Sequence, residues 1–390
     1  MAEKTTSPIR SDNPSQKASS MAVQSDAPGT RRRTFLSAAV AAALGPSAAA
    51  LLGGPLAGVA SASNASNLPD FAPVPAEAFG PALNADGYFV GQIDGNLYWV
   101  TDSVYQAMFL TTREGVVLVD APPTIGHNLL RAIASVTHAS GMPSKVTHLV
   151  YSHSHADHIG ASSLFGTDVV RIGHRDNRRL LLRDNDPSRP PPSVTFDERH
   201  VLEVGGEQLH LAFHGPNHTP DNIFIHSPKH NTLMLVDVVM PGWIPFKGLA
   251  VSQDIPGWIN AHDVALGYVW QTLIGGHLGR LGSRADAELQ KHYVADLQAS
   301  ARATVASLDP TPFFQTYGPT GNSWAIFKAY LDAASQQAAD PIVAKYTGKL
   351  AAADVFTFDN AYVLFESLRI DTGVLGPFGN HPYPGPGDRQ

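Results

Sequence analysis

The segment YSHSHADHIG, residues 151 to 160, places three imidazoles and a carboxylate within six positions, His153 to His158. Neighbouring imidazoles repel once protonated and are costly to bury without partners, so packing does not explain the cluster. Metal binding does. The preceding KVTHLVYS reads as a short buried strand, and Asp157 suits the first turn of a following helix. Extended backbone sends His153 and His155 to one side, whereas Asp157 and His158 enter a turn and face elsewhere. One short loop can therefore offer two ligands to each of two adjoining ions. Zinc takes about four N or O ligands, so both sets need completion from later in the chain.

The chain contains no cysteine, which excludes thiolate zinc sites, disulfides and cysteine nucleophiles. Later candidates must be histidine or carboxylate. His218 lies in GPNHTPDN, Asp237 ends the apolar run LMLVDVV, and His277 lies in GGHLG, where glycine lets backbone approach a metal closely. His214, four positions earlier, is a rival to His218. His148, His174, His200, His210, His226 and His262 read as surface or hydrogen-bonded histidines.

Along the chain, residues 63–85 form a proline-containing lead-in, followed by strands in YFVGQI, LYWVTDSVYQAMFLTT and GVVLVDAP, with Asp94-Gly95 a tight turn. IGHNLLRAIASVTH has helical spacing, with Leu129, Leu130, Ile133 and Val136 on one side. DVVRIG is a strand, HRDNRRLLLRD a helix, and PSRPPPSVTF a loop. A second block of strands (RHVLEV, EQLHLAFHG, DNIFIHSP, NTLMLVDVV) precedes helices from about residue 258, including an amphipathic one bearing Leu289, Tyr293 and Leu297. Two blocks of strands then helices point to two similar halves in one domain. Further helices occupy 324–370, and 371–390 is rich in Pro and Gly.

From about Gly87 to Leu297 the chain resembles the metallo-β-lactamase superfamily. The ordered ligands match residue by residue: His-x-His-x-Asp-His, then His218, Asp237 and His277. VVLVDAP resembles an early motif of that family in which the aspartate, here Asp120, supports the metal loop from behind the ligands. The resemblance implies an α+β fold, a four-layer αββα sandwich, here with extra C-terminal helices. It assigns His153, His155 and His218 to one zinc ion, Asp157, His158 and His277 to a second, and Asp237 to both. The domains are then 1–62 (leader), 63–320 (hydrolase) and 321–390 (helical extension and tail).

A dinuclear zinc hydrolase is the implied activity, with a metal-bound hydroxide as nucleophile and Asp157 as the catalytic side chain that orients it or relays its proton. The substrate is a small ester, lactone, thioester or cyclic amide. GPNHTPDN looks like the corresponding segment of true β-lactamases, but several of those use cysteine at the second metal. Aspartate at 237 looks more like lactonases and glyoxalase II, yet acyl-homoserine lactonases often carry tyrosine three residues later, where Met240 stands. A single-iron persulfide dioxygenase shares part of the ligand set. A non-catalytic metal-binding protein would lack a ligand, and none is lacking. Trp243, Phe246 and Trp258 follow Asp237 and read either as a pocket wall or as core.

Residues 1–30 are polar and without hydrophobic period, which reads as disorder. RRRTFLSAAVAAALGPSAAALLGGPLAGVASAS then resembles a twin-arginine export signal with Arg32, Arg33, Phe35 and Leu36 in order and cleavage near Ala62. Pro46, Pro55 and paired glycines make a poor membrane span. The expected location is periplasmic or secreted, with no membrane span in the mature chain. The formal charge of −7 argues against nucleic acid as a partner, and the leader removes more base than acid. The expected partner is a small-molecule substrate.

Overall fold

The computed structural model describes residues 70–374. The expected leader and export signal, and the end of the Pro/Gly-rich tail, lie outside the described residues. Strand alternation decides the architecture. In β2 (Leu97–Thr101), β3 (Gln106–Thr112) and β4 (Gly115–Val119), Leu97, Trp99, Met108, Leu110, Val117 and Val119 point to one apolar cluster. Val100, Ala107, Phe109, Val116 and Leu118 point to another. With β1 (Phe89–Asp94), β5 (Val146–Val150), β6 (Val170–His174) and β7 (Val194–Phe196) these strands form a seven-stranded sheet in sequence order. Its first four strands pair antiparallel and its last four parallel.

The second sheet contains β8 (Arg199–Val204), β9 (Glu207–Ala212), β10 (Phe224–Ser227), β11 (Thr232–Met234) and β12 (Thr272–Ile274), with β11 and β12 parallel. Leu209, Leu211, Ile225, Met234 and Ile274 meet the first sheet in the shared cluster. Outside sheet one lie α1 (Asn128–Ser140) and α3 (Arg175–Asp184), which bury Leu129, Ile133 and Leu181. Outside sheet two lie α5 (Ile255–Gly267) and α6 (Arg284–Ser307), which bury Trp258, Ala265, Tyr293 and Leu297 against Leu233 and Leu235. The result is the four-layer αββα sandwich. Each buried Leu or Val adds roughly 1.5–3 kcal/mol, so burial on both faces of the sheets and under the outer helices contributes strongly to stability.

The extra C-terminal helices are present: α7 (Thr311–Tyr317), α8 (Ser323–Tyr346) and α9 (Ala353–Ile370). Tyr330, Ala334, Leu364 and Phe365 join the same core as α5 and α6, so α8 and α9 thicken that outer layer. Among the described residues no helix is long and apolar enough to cross a membrane.

Several local expectations fail for tertiary reasons. Leu130 is exposed, and Ala132 and Thr137 complete the buried face of α1. The run from Leu97 to Thr112 splits at residues 102–105, where Ser103 has a positive φ. The proline loop ends in β7, whose three residues pair with β6. β12 escapes the sequence reading because three residues are too few for a period. The run LMLVDVV leaves the sheet at Met234, so Asp237 lies beyond a strand rather than at its end.

Candidate metal centre

β5 ends at Val150, and α2 (Ala156–Ile159) begins after His155, so the loop between them carries the histidines at the edge where the two sheets meet. The structure brings all seven expected ligands together. His153, His155, His218 and Asp237 form one group, and Asp157, His158 and His277 a second; within each, the potential ligand atoms lie within 4.8 Å of one another. Asp237 joins the two. Its Oδ2 is 3.0 Å from His218 Nε2, 3.1 Å from His158 Nε2 and 3.4 Å from His153 Nε2, and its Oδ1 is 2.9 Å from His277 Nε2.

These residues fit a metal better than they fit one another. His218 Nε2 lies 3.0 Å from His155 Nδ1, and His158 Nε2 lies 3.0 Å from His277 Nε2. Ligands at about 2.0–2.1 Å in a tetrahedron are separated by roughly 3.3 Å, close to these spacings. His153 Nε2 is buried and has no hydrogen-bond partner, although it faces the cluster. A buried nitrogen of that kind is expensive unless something accepts its lone pair. Burial and the neighbouring His155 hold the His153 imidazole well below its ordinary pKa, hence neutral and able to ligate. Burial and His218 push His155 down to about 4. Burial also works against charge on His158 and Asp237, but their mutual attraction wins. It lifts His158 to about 9, and His158, His277 and His218 hold Asp237 well below the carboxylate range.

The shell behind the ligands is dense. Asp120 is fully buried, which lifts its carboxyl to about 6, and its Oδ1 accepts from Ser152 N at 2.8 Å. Ser152 Oγ in turn contacts His153 Nδ1 at 3.0 Å. Asp221 joins both halves of the first group: its carboxylate accepts from Ser154 Oγ at 3.2 Å and from Asn177 Nδ2 at 3.0 Å. Beneath Asp237, the Trp258 indole donates to the Asp237 carbonyl at 2.9 Å. Gln290 of α6 accepts from Met240 N at 2.8 Å and donates to the Val238 carbonyl. Gly276 is needed beside His277. It has φ +87°, and a Cβ there would lie 2.6 Å from Val236 Cγ1.

The cluster opens into a cavity of about 380 Å³. Trp243 and Phe246 line it as one expectation held, but Trp258 is wholly buried in the core. His214 lies elsewhere, with Nε2 2.7 Å from the Tyr268 hydroxyl. The sequence reading missed Tyr105, which lines the cavity with its ring 4.7 Å from that of His277 and lies near enough to Asp157 to feel its charge. Burial and Asp157 raise its pKa, so the hydroxyl stays protonated. No motif marks Tyr105; it reaches the site because Gln106 N bonds to the Gly276 carbonyl at 2.8 Å.

The floor at the far end is unusual. In α4 (Lys247–Val251), Gly248, Leu249, Ala250 and Val251 all have φ between 52° and 67°, a single left-handed helical turn. Left-handed backbone costs a non-glycine residue about 1–2 kcal/mol, and a β-branched Val there is an outlier. The turn is held by its own bonds, Ala250 N to Phe246 O at 2.8 Å, and by Asn360 of α9. Asn360 Oδ1 accepts from Leu249 N at 2.8 Å, and its Nδ2 donates to Pro245 O at 2.9 Å.

A sequence model of the metallo-beta-lactamase superfamily matches residues 100–274. Among relatives, the chain is 27% identical over 225 residues to 2,4-dinitroanisole O-demethylase subunit alpha of Nocardioides sp. (strain JS1661), a match covering 56% of this chain and 65% of that one. It thus spans just under two-thirds of that relative. It is 26% identical over 187 residues to metallo-beta-lactamase type 2 of Elizabethkingia meningoseptica, covering 47% of this chain and 72% of that one. Among solved structures, metallo-beta-lactamase IND-7 superposes with a TM-score of 0.45 at 19% identity, over 54% of this chain and 100% of that one. Residues 100–274 thus match the metallo-beta-lactamase superfamily, and the ordered set of imidazole and carboxylate donors agrees with that match.

Proposed function

We propose that the protein is a dinuclear zinc hydrolase of small esters, lactones, thioesters or cyclic amides. One observation carries this reading: seven imidazole and carboxylate donors form two adjoining groups at the end of a small-molecule cavity. His153, His155 and His218 would hold one ion, Asp157, His158 and His277 the other, and Asp237 would touch both. Zinc bound there supplies a Lewis acid and makes water acidic near neutral pH. In hydrolysis a water oxygen bonds to the carbonyl carbon, the C–O, C–S or C–N bond breaks, and the leaving atom takes a proton. Asp157 Oδ2, partly exposed to the cavity, is placed to accept the proton from water and pass it on. Tyr105, which lines the same cavity beside Asp157, would help to orient that carboxylate.

A second reading is favoured by the demethylase relative and the apolar cavity: cleavage of an aryl alkyl ether. Export through the twin-arginine-like segment, and with it a periplasmic or secreted location, is part of the proposal. Elemental analysis of the purified mature protein, with a panel of esters, lactones, thioesters, β-lactams and an activated aryl methyl ether, is the test. About two zinc ions and turnover of a carbonyl substrate are expected. One iron per chain sinks the dinuclear hydrolase and favours the dioxygenase; turnover of the ether alone favours the second reading.

A further inference from the structure

Beyond the ligand cluster the cavity wall is apolar, formed by Met240, Ile244, Phe246, Val251, Leu278 and Phe356. Among the described residues that line it there is no Lys or Arg. The nearby cations are already engaged. Lys247 pairs with Asp359 at 3.2 Å, and Arg280 bonds both carboxylate oxygens of Asp286, at 2.7 and 3.1 Å. An anionic group laid along this wall would lose its water and find no counter-charge.

The wall also has a fixed shape, and the C-terminal helices set it. Phe356 belongs to α9, and Asn360, one turn further along, is fully buried and holds the left-handed turn at Leu249 and the segment leading into it at Pro245. The turn in turn holds Phe246 and Val251 out at the mouth, 51% and 62% exposed. A strained turn that displays apolar side chains beside a site is the kind of feature that persists where the surroundings over-determine it. The following segment is tied to the ligands: Gln253 N bonds to the carbonyl of His218 at 3.0 Å. The segment that follows the wall is therefore joined to the ligand cluster through the backbone.

Resting on the hydrolase reading above, we propose that the turn Lys247–Val251, fixed by Asn360, is the specificity element of the site. It selects substrates whose reacting group carries an uncharged aryl or alkyl arm over analogues whose arm carries a carboxylate. The C-terminal extension is thereby part of the substrate site.

The test uses the zinc-loaded full chain and a matched pair, phenyl acetate and 4-carboxyphenyl acetate, with each kcat/KM divided by the substrate's rate of alkaline hydrolysis. Binding is measured in parallel by calorimetry with phenylacetamide and 4-carboxyphenylacetamide. The neutral member should be favoured at least tenfold in both. Val251→Lys, at an exposed position that needs no repacking, should bring the carboxylated member to within threefold of the neutral one. Asn360→Ala should raise KM for the aryl substrate severalfold while zinc content stays unchanged; if it fails to fold, Val251→Lys still decides. Equal preference for both members, or an unchanged preference in Val251→Lys, overturns the proposal. Absence of any turnover sinks the hydrolase reading instead, and the binding pair then decides the wall's preference alone.

Discussion

Asp120 and Asp237 occupy matching places in the two halves of the molecule. Each follows a buried strand run, each has φ 63°, and each donates its N–H to a carbonyl at the end of the neighbouring parallel strand. For Asp120 that carbonyl is Val150, at 2.9 Å; for Asp237 it is Gly275, at 3.1 Å. The positive φ swings each carboxylate out of the sheet's alternation and toward the edge where the ligands gather. Asp237 ends among the imidazoles, whereas Asp120 ends beneath them and takes the Ser152 N–H.

Asp237→Asn keeps the shape and the tolerated left-handed backbone but removes the anion. Zinc content should fall from about two to about one, because His153, His155 and His218 remain as neutral ligands. Turnover should drop on the order of a hundredfold, as expected from losing one Lewis acid. Metal content and activity measured on the same folded sample check this; two zinc ions with near-normal turnover would contradict it.

Asp120 separates two effects. Asp120→Asn can still accept from Ser152 N and should lose about 1 kcal/mol or less. Asp120→Ala leaves that buried N–H unpaired and puts Ala in left-handed backbone, for roughly 2–4 kcal/mol in all. Urea unfolding of the two variants, in the presence of zinc, gives the difference. Equal losses would mean that the hydrogen bond to Ser152 contributes nothing.

Gly276→Ala should damage the second ligand group before the first. Its Cβ would lie 2.6 Å from Val236 Cγ1 and 3.2 Å from His158 Cε1, at a φ of +87°. Relief of the clash moves His158, Val236 with the adjacent Asp237, or the backbone that carries His277, so the weaker of two zinc-binding steps should weaken by about tenfold or more. Calorimetric zinc titration reads both steps, and an unchanged pair would refute this account of the glycine.

His262 predicts acid sensitivity. It is fully buried, and burial outweighs hydrogen bonds to the carbonyls of Ile259 and Trp258, pushing its pKa down to about 4. Its Nδ1 donates to those carbonyls, and its Nε2 accepts from Gln290 Nε2 at 2.9 Å, so the ring is neutral. Asp263 and Lys291 exert smaller, opposed effects. Between pH 6.5 and 4 the unfolded chain binds a proton that the native ring refuses. Stability from this residue is thus intact above pH 6.5 and declines as pH falls, by up to about 3 kcal/mol. His262→Leu should flatten the acid limb of the stability curve relative to the parent; parallel limbs would refute it.

Replacing Arg32 and Arg33 together by Lys should hold the folded precursor in the cytoplasm, because such a pair is read by a receptor rather than as bulk charge. Fractionation of cells making both forms checks this. Normal periplasmic levels of the double variant would remove the export proposal.

The candidate donors that the structure gathers were legible in the sequence because local backbone groups some of them and the family resemblance points to the rest. His153 and His155 sit two apart in extended chain, Asp157 and His158 enter α2, and GGHLG announces a close backbone approach. The layer order came from the family resemblance, and the strands with both faces apolar agree with it because they need covering on both sides. What surrounds the ligands was not. Asp237 reads as a strand residue, yet the strand ends at Met234 and Asp237 takes left-handed backbone to reach the imidazoles. Leu249, Ala250 and Val251 have no local reason to wind left-handed, and Asn360, 111 positions from Leu249, supplies one. Tyr105 and Phe356 reach the cavity from opposite ends of the chain. Contacts between distant segments leave no period and no motif behind, so the sequence by itself marked the candidate donors and the strand and helix blocks, and only tertiary packing decided the shape and charge of the space beside them.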